Sequence, residues 1–135
     1  SVLFQLPIKI RGRDRQHIEI LYEYTMDGQH FTGKRLVTVE PIPETFALGQ
    51  NFPNPFNPIT TIFYDLPIDS KIELVIYDVL GRKVITLING FQEKGYKTVQ
   101  WKGIDQNGIK VSSGIYFYRL LSEDYMATKK MILIK

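Results

Sequence analysis

The chain has 135 residues, 44% of them hydrophobic and 13% aromatic, with a formal net charge of +3. That length fits one domain or one domain plus a fragment, and the apolar content excludes a disordered chain. The absence of cysteine excludes disulfides, thiolate metal sites and cysteine nucleophiles together, and no apolar run reaches the length of a membrane-spanning helix.

The cationic excess lies after residue 45 as single Lys and Arg residues, never as a block, so no nucleic-acid partner is expected. The sequence starts at Ser1 with no signal-like stretch and reads as a processed or trimmed product. Period-two alternation recurs along the chain and helical periodicity is nearly absent, which predicts an all-β fold.

The first predicted strand is 2–11. Val2, Phe4, Leu6, Ile8 and Ile10 alternate along it, and Pro7 marks it as an edge or a bulge. A hairpin follows, with Ile18, Ile20, Tyr22 and Tyr24 on one face, turn chemistry at Asp27-Gly28 and a return strand near 34–40. Three strands with one apolar face are marginal alone and need cover. The cover is either the rest of this chain, a lost preceding domain, or a second copy into which the N-terminal strand inserts. The last arrangement is head-to-tail and builds filaments.

Residues 41–58 read PIPETFALGQNFPNPFNP and hold five of the seven prolines. Proline fixes φ and biases the residue before it toward extended conformations. Phe46, Leu48, Phe52 and Phe56 are apolar anchors that a free linker does not need, so this is read as an ordered connector. From residue 59 six strand candidates follow, near 60–66, 71–79, 83–88, 96–101, 115–121 and 125–135. Asn89-Gly90, the run GIDQNGIKVSSG and Glu123-Asp124 supply turns between them. The connections are too short for parallel crossovers, so the strands are antiparallel and the spacing suits a β-sandwich.

Gly81 and Gly114 stand at strand boundaries, where a positive φ or a close approach is often required. Trp101, the single tryptophan, is assigned to the core. Asp105, Asn107 and Gly108 lack the distal bidentate acid of a calcium loop and read as a turn. His17 and His30 have no cysteines or clustered acids near them, and no nucleophile–base spacing or phosphate loop is present. No catalytic residue, cofactor site or metal site is therefore predicted. No N-x-Ser/Thr acceptor occurs; Thr45, Thr60 and Thr61 remain candidate acceptors for O-linked glycan.

The stretches FALGQNFPNPFNPITTIFYDLP, VIYDVLGRKVITL, WKGIDQNGIKVSSGIYFYRL and the terminal ATKKMILIK, in that order, resemble a known family over residues 46–135. It is the type A C-terminal sorting domain of proteins exported by the type IX secretion system. That family overlaps the immunoglobulin-like domain of the flagellar hook-capping protein. The resemblance implies a seven-stranded immunoglobulin-like antiparallel sandwich, preceded here by an extra N-terminal β-segment. It implies a bacterial, extracellular or outer-surface location and an outer-membrane secretion apparatus as partner. It also implies a signal that includes the Asn54-Pro55-Phe56-Asn57-Pro58 strap and the basic residues Lys129, Lys130 and Lys135 of the terminal strand. The expected organisation is a β-segment at 1–40, a connector at 41–58 and a sandwich at 59–135. The favoured reading is a non-enzymatic attachment module retained in a surface or filament-forming protein, with copies joined by strand addition. The alternatives are a monomeric sorting tag on a larger exported protein and a glycan-binding sandwich, for which Tyr22, Tyr24, Tyr116 or Tyr118 would serve as the platform if exposed, although paired aromatics on strands are more often core or cross-strand packing.

Overall fold

The structure is a computed structural model that describes residues 16–39 and 41–135. None of the described residues is helical. The expected strand at 2–11, with Val2, Phe4, Leu6, Ile8 and Ile10, lies outside the described residues. The chain divides into two compact units, Ser1–Ile42 and Pro43–Lys135.

The described part of the first unit is a hairpin of β1 (Gln16–Met26) and β2 (Gln29–Val39) in continuous antiparallel register. Asp27 (φ 52°) and Gly28 (φ 78°) both take left-handed backbone, the geometry of a two-residue turn that follows the natural twist of its strands. One face carries an aromatic row: Tyr22 and Tyr24 stack at 6.3 Å, and Tyr24 and Phe31 at 5.1 Å. The other carries two diagonal charge pairs, Glu19 with Lys34 at 3.8 Å and Glu23 with His30 at 3.7 Å. Both are solvent-exposed and contribute at most ~1 kcal/mol each.

The second unit is a sandwich of seven strands. They are β3 (Ala47–Leu48), β4 (Thr60–Leu66), β5 (Ser70–Tyr77), β6 (Lys83–Gln92), β7 (Gly95–Trp101), β8 (Gly114–Leu121) and β9 (Met126–Leu133). One sheet has the order β3-β4-β7 and the other β6-β5-β8-β9, and all these pairings are antiparallel. The all-β, immunoglobulin-like sandwich read from the sequence is the fold observed. Burial alternates strictly along β4, where Thr60, Ile62, Tyr64 and Leu66 face inward. Ile72, Leu74 and Ile76 of β5 and Tyr116, Tyr118 and Leu120 of β8 meet them from the opposite sheet. Fully burying such a side chain stabilises by about 1.5–3 kcal/mol. Trp101, 1% exposed, packs between Phe56 (5.7 Å) and Tyr116 (5.2 Å), and its indole N–H donates to the Ile104 carbonyl at 2.9 Å.

Several boundaries differ from the sequence reading: β2 starts at Gln29 and not near 34, β5 ends at Tyr77 and not 79, and β9 ends at Leu133 and not 135. β6 does not stop at Asn89-Gly90 but runs on to Gln92, because Asn89 and Gly90 stay in register with Glu73 and Ile72 of β5. Pairing with a neighbour outweighs local turn preference there. The short β3 inside the Pro-rich segment was not anticipated; it pairs Ala47 and Leu48 with Asp65 and Tyr64.

Candidate functional site: the strap and the terminal strand

β9 is an edge strand, which ordinarily leaves a row of backbone groups open to pairing. Here the Pro-rich segment lies along that edge. The Phe56 N–H donates to the Ile132 carbonyl at 2.9 Å, and the Ile134 N–H donates to the Phe56 carbonyl at 2.9 Å. The Ile132 N–H donates to Asn54 Oδ1 at 3.0 Å, and Gln50 Nε2 donates to the Lys130 carbonyl at 2.9 Å. Two side chains and one residue's main chain thus take four successive outward groups of the last strand. Proline explains why this segment acts as a strap and not as a further strand: it supplies no N–H to a ladder, so bonding is confined to the residues between prolines.

The strap is held from beneath by two anchors. Phe56, 1% exposed, is driven into the core against Trp101, while Asn54, Pro55, Asn57 and Pro58 around it are exposed. At its start, buried Asn51 donates through its side-chain amide to Thr60 Oγ1 (2.9 Å) and the Pro53 carbonyl (3.2 Å). The Asn51 N–H donates to the Tyr118 hydroxyl at 2.9 Å, and that hydroxyl donates to the Gly49 carbonyl at 2.7 Å. The Thr60 hydroxyl donates to the Pro53 carbonyl at 2.8 Å. Burial pushes the Tyr118 phenol up to about 12, with the Asn51 N–H pulling in the opposite direction.

Sequence reasoning passed over Gln50, Asn51, Thr60 and Tyr118 as parts of this assembly. One signal was available: Thr60 occupies the inward phase of β4, where a polar side chain requires a buried partner.

The other sequence-predicted positions divide. Lys129 and Lys130 are neighbours on a strand and project to opposite faces: Lys129 is half-buried on the core side opposite Tyr118, and Lys130 is exposed on the outer side opposite Phe117. Lys130 and Lys135 are the exposed cations of this end. Gly81 (φ 78°) sits in the turn after β5, and Gly114 (φ 149°) starts β8 opposite Leu133, across β9 from Phe56 of the strap; both have open space where a Cβ would be. Their backbone angles, not crowding, favour glycine.

Three sequence readings take a definite form here. Tyr116 and Tyr118 are 5% and 0% exposed, so neither offers a platform to a glycan; both were absorbed by the core because they share the inward phase of β8. Thr60 is 0% exposed with its hydroxyl engaged, so it is not a glycan acceptor. Asp105 Oδ1 accepts the N–H groups of Asn107 (2.9 Å) and Ile109 (3.0 Å), which makes that loop a self-contained turn. Among the described residues no group of three or more His, Asp or Glu side chains converges as a metal site.

Residues 50–135 match the family model described as the secretion system C-terminal sorting domain. The chain belongs to that family. The match starts at Gln50, which grips the Lys130 carbonyl, and runs to Lys135, so it takes in both partners of the strap assembly. A sorting domain is a tag on an exported protein. It engages the type IX secretion machinery, and such proteins end on the cell surface or outside the cell. The domain family is not a catalytic one.

No curated protein matches the chain. Among solved structures, dimeric latent PorU from Porphyromonas gingivalis aligns with a TM-score of 0.54 and 16% identity, covering 92% of this chain and 12% of that one. PorZ, a surface component of the type IX secretion system of the same organism, aligns with a TM-score of 0.47 and 21% identity, covering 64% of this chain and 11% of that one. The likeness to PorU is one of fold. The aligned parts span about an eighth of the length of PorU and a ninth of that of PorZ.

Proposed function

We propose that the assembly of strap and terminal strand is the surface that the export apparatus reads, and that the domain acts as a folded, non-enzymatic sorting and attachment module. The observation that supports this is the closure of the C-terminal half of the β9 edge. Lys130 O, Ile132 N, Ile132 O and Ile134 N are all occupied by Gln50, Asn54 and Phe56. A signal locked in this way has one shape, and it carries exposed Lys130 and Lys135 beside the exposed Asn54, Pro55, Asn57 and Pro58. In this reading 41–58 is a working part of the signal, 59–135 is its scaffold and 1–40 is a separate β-segment. The test is export of a reporter fused ahead of the chain in a type IX-competent bacterium. Removing residues 130–135 should abolish export, and the pair Gln50→Ala/Asn54→Ala should reduce it severalfold while the domain still folds. Undiminished export after removal of 130–135 would overturn the reading.

A second reading, retention in a surface or filament-forming structural protein with copies joined by strand addition, is favoured by the hairpin. Two strands with an aromatic face are marginal alone in water and call for a further layer. Residues 2–10 of the same or a neighbouring copy would supply it. The strap leaves no room for an incoming strand at 130–134 of β9, so donation would use another edge. Deleting residues 1–12 and finding an unchanged oligomeric state would remove this reading.

A further inference from the structure

We propose that the outer face of the four-stranded sheet binds an acidic polysaccharide chain laid across the strands, independently of the sorting reading. The strand register aligns four side chains in one row: Lys83 opposite Tyr77, Tyr77 opposite Phe117, and Phe117 opposite Lys130. Two aromatic rings are thus flanked by a lysine on each side of the sheet, with the outermost strands roughly 14 Å apart at the usual strand spacing. The next row adds Arg119, whose guanidinium carbon lies 5.0 Å from the Tyr77 ring centroid. A groove of about 330 Å³ runs here, lined by Tyr77, Phe117, Arg119, Thr128 and the turn after β5.

The cations of this face are not paired with its acids. Among the described residues Lys83, Lys130 and Arg119 form no ion pair, and the Arg119 Nε is shut from solvent without a hydrogen-bond partner. The nearest acid in the groove, Asp78, is already committed: it accepts the N–H groups of Leu80 and Arg82 and the Arg82 Nε at 2.8–2.9 Å. Glu73 lies on the same face, two rows from the aromatic row and one from Arg119, opposite Leu121, and forms no ion pair with Arg119. The complementary partner is therefore anionic. It is also a ring polymer in preference to a peptide. An extended peptide binds a sheet at its edge through backbone pairing, whereas this feature lies on the face. Planar rings beside hydroxyls such as Thr128 suit the apolar face and the hydroxyls of a sugar ring.

The test is titration of the full chain by calorimetry with a mannuronate hexamer, with a neutral mannose hexamer and hexaglutamate as controls. The mannuronate hexamer should bind, and more weakly as salt rises. Lys83→Gln/Lys130→Gln, both at exposed positions, should weaken it at least fivefold, and Phe117→Thr by a similar factor. No binding of the mannuronate hexamer at millimolar concentration would overturn the proposal. So would equal binding of the neutral hexamer, equal binding of hexaglutamate, or indifference to the lysine pair. Dimerisation of the chain that the same lysine substitutions abolish would show that a second copy occupies the face instead.

Discussion

The hairpin and the sandwich are written in the same alternating pattern, yet they differ in what becomes of their apolar residues. In the sandwich, Ile62, Leu66, Leu74, Ile76 and Leu120 are at most 1% exposed, because a second sheet closes over the first. In the hairpin, the aromatic face stays partly open: Phe31 is 38% exposed and Tyr22 and Tyr24 are only half-buried, while Leu21 and Leu36 on the charged face are 66% and 70% exposed. Alternation creates an apolar face; only a second layer turns it into a core. Stability should therefore reside in residues 43–135, with the hairpin responding locally to change.

The largest break in that comparison is expected from Trp101→Ala. Emptying this site should cost about 3–5 kcal/mol in denaturant unfolding of the sandwich. A loss under ~1 kcal/mol would mean that the core is not organised around the indole. Tyr118→Phe comes next. It leaves the Asn51 N–H and the Gly49 carbonyl without their partner and should cost about 1–3 kcal/mol.

The same tyrosine carries a pH signature. Its folded pKa is raised to about 12 by burial, against 10.0 in an open chain. Its contribution is fully present below pH 10 and is lost as pH rises toward 12, because only the unfolded chain ionises easily in that window. Tyr64 is raised in the same direction, again by burial. Wild-type stability should fall between pH 10 and 12, and Tyr118→Phe should fall less steeply. Equal slopes would contradict the buried-hydroxyl account.

Asn54→Ala sharpens the comparison within the sandwich. The bond it removes is exposed, so global stability should drop by less than ~1 kcal/mol. Hydrogen exchange at the Ile132 amide should nevertheless quicken while exchange in β4 and β5 stays slow. The smallest effect is expected in the hairpin. A Cβ on Gly33 would come within 2.3 Å of the Tyr22 ring, so Gly33→Ala must swing that ring away from Tyr24. The sandwich's midpoint should stay within about 0.5 kcal/mol, and a larger shift would show that the two units unfold together.

Legibility followed sequence distance. β4 could be read almost residue by residue, because alternation and the proline that ends it are local. The Asp27-Gly28 turn was equally plain, although its return strand, read from near 34, starts at Gln29. β6 was read too short, since Asn89-Gly90 carries turn chemistry that pairing with β5 overrode. The motif that carries the family resemblance was visible, but its role was not. Asn54 reaches Ile132 across 78 positions and Gln50 reaches Lys130 across 80, and no local pattern records such a contact. The opposed directions of Lys129 and Lys130 were implicit in the two-residue period of a strand.

By itself the sequence determined the fold class, most of the strands and the family, because hydrophobic period, turn residues and motif order are properties of neighbours along a chain. Tertiary structure alone decided that the Pro-rich segment closes the last strand. It also decided that Tyr116 and Tyr118 are core rather than platform, and that Lys83, Tyr77, Phe117 and Lys130 form one row. The reason is that strand register and sheet order bring together residues far apart in sequence, and the energy of those contacts exists only once the sheets are assembled.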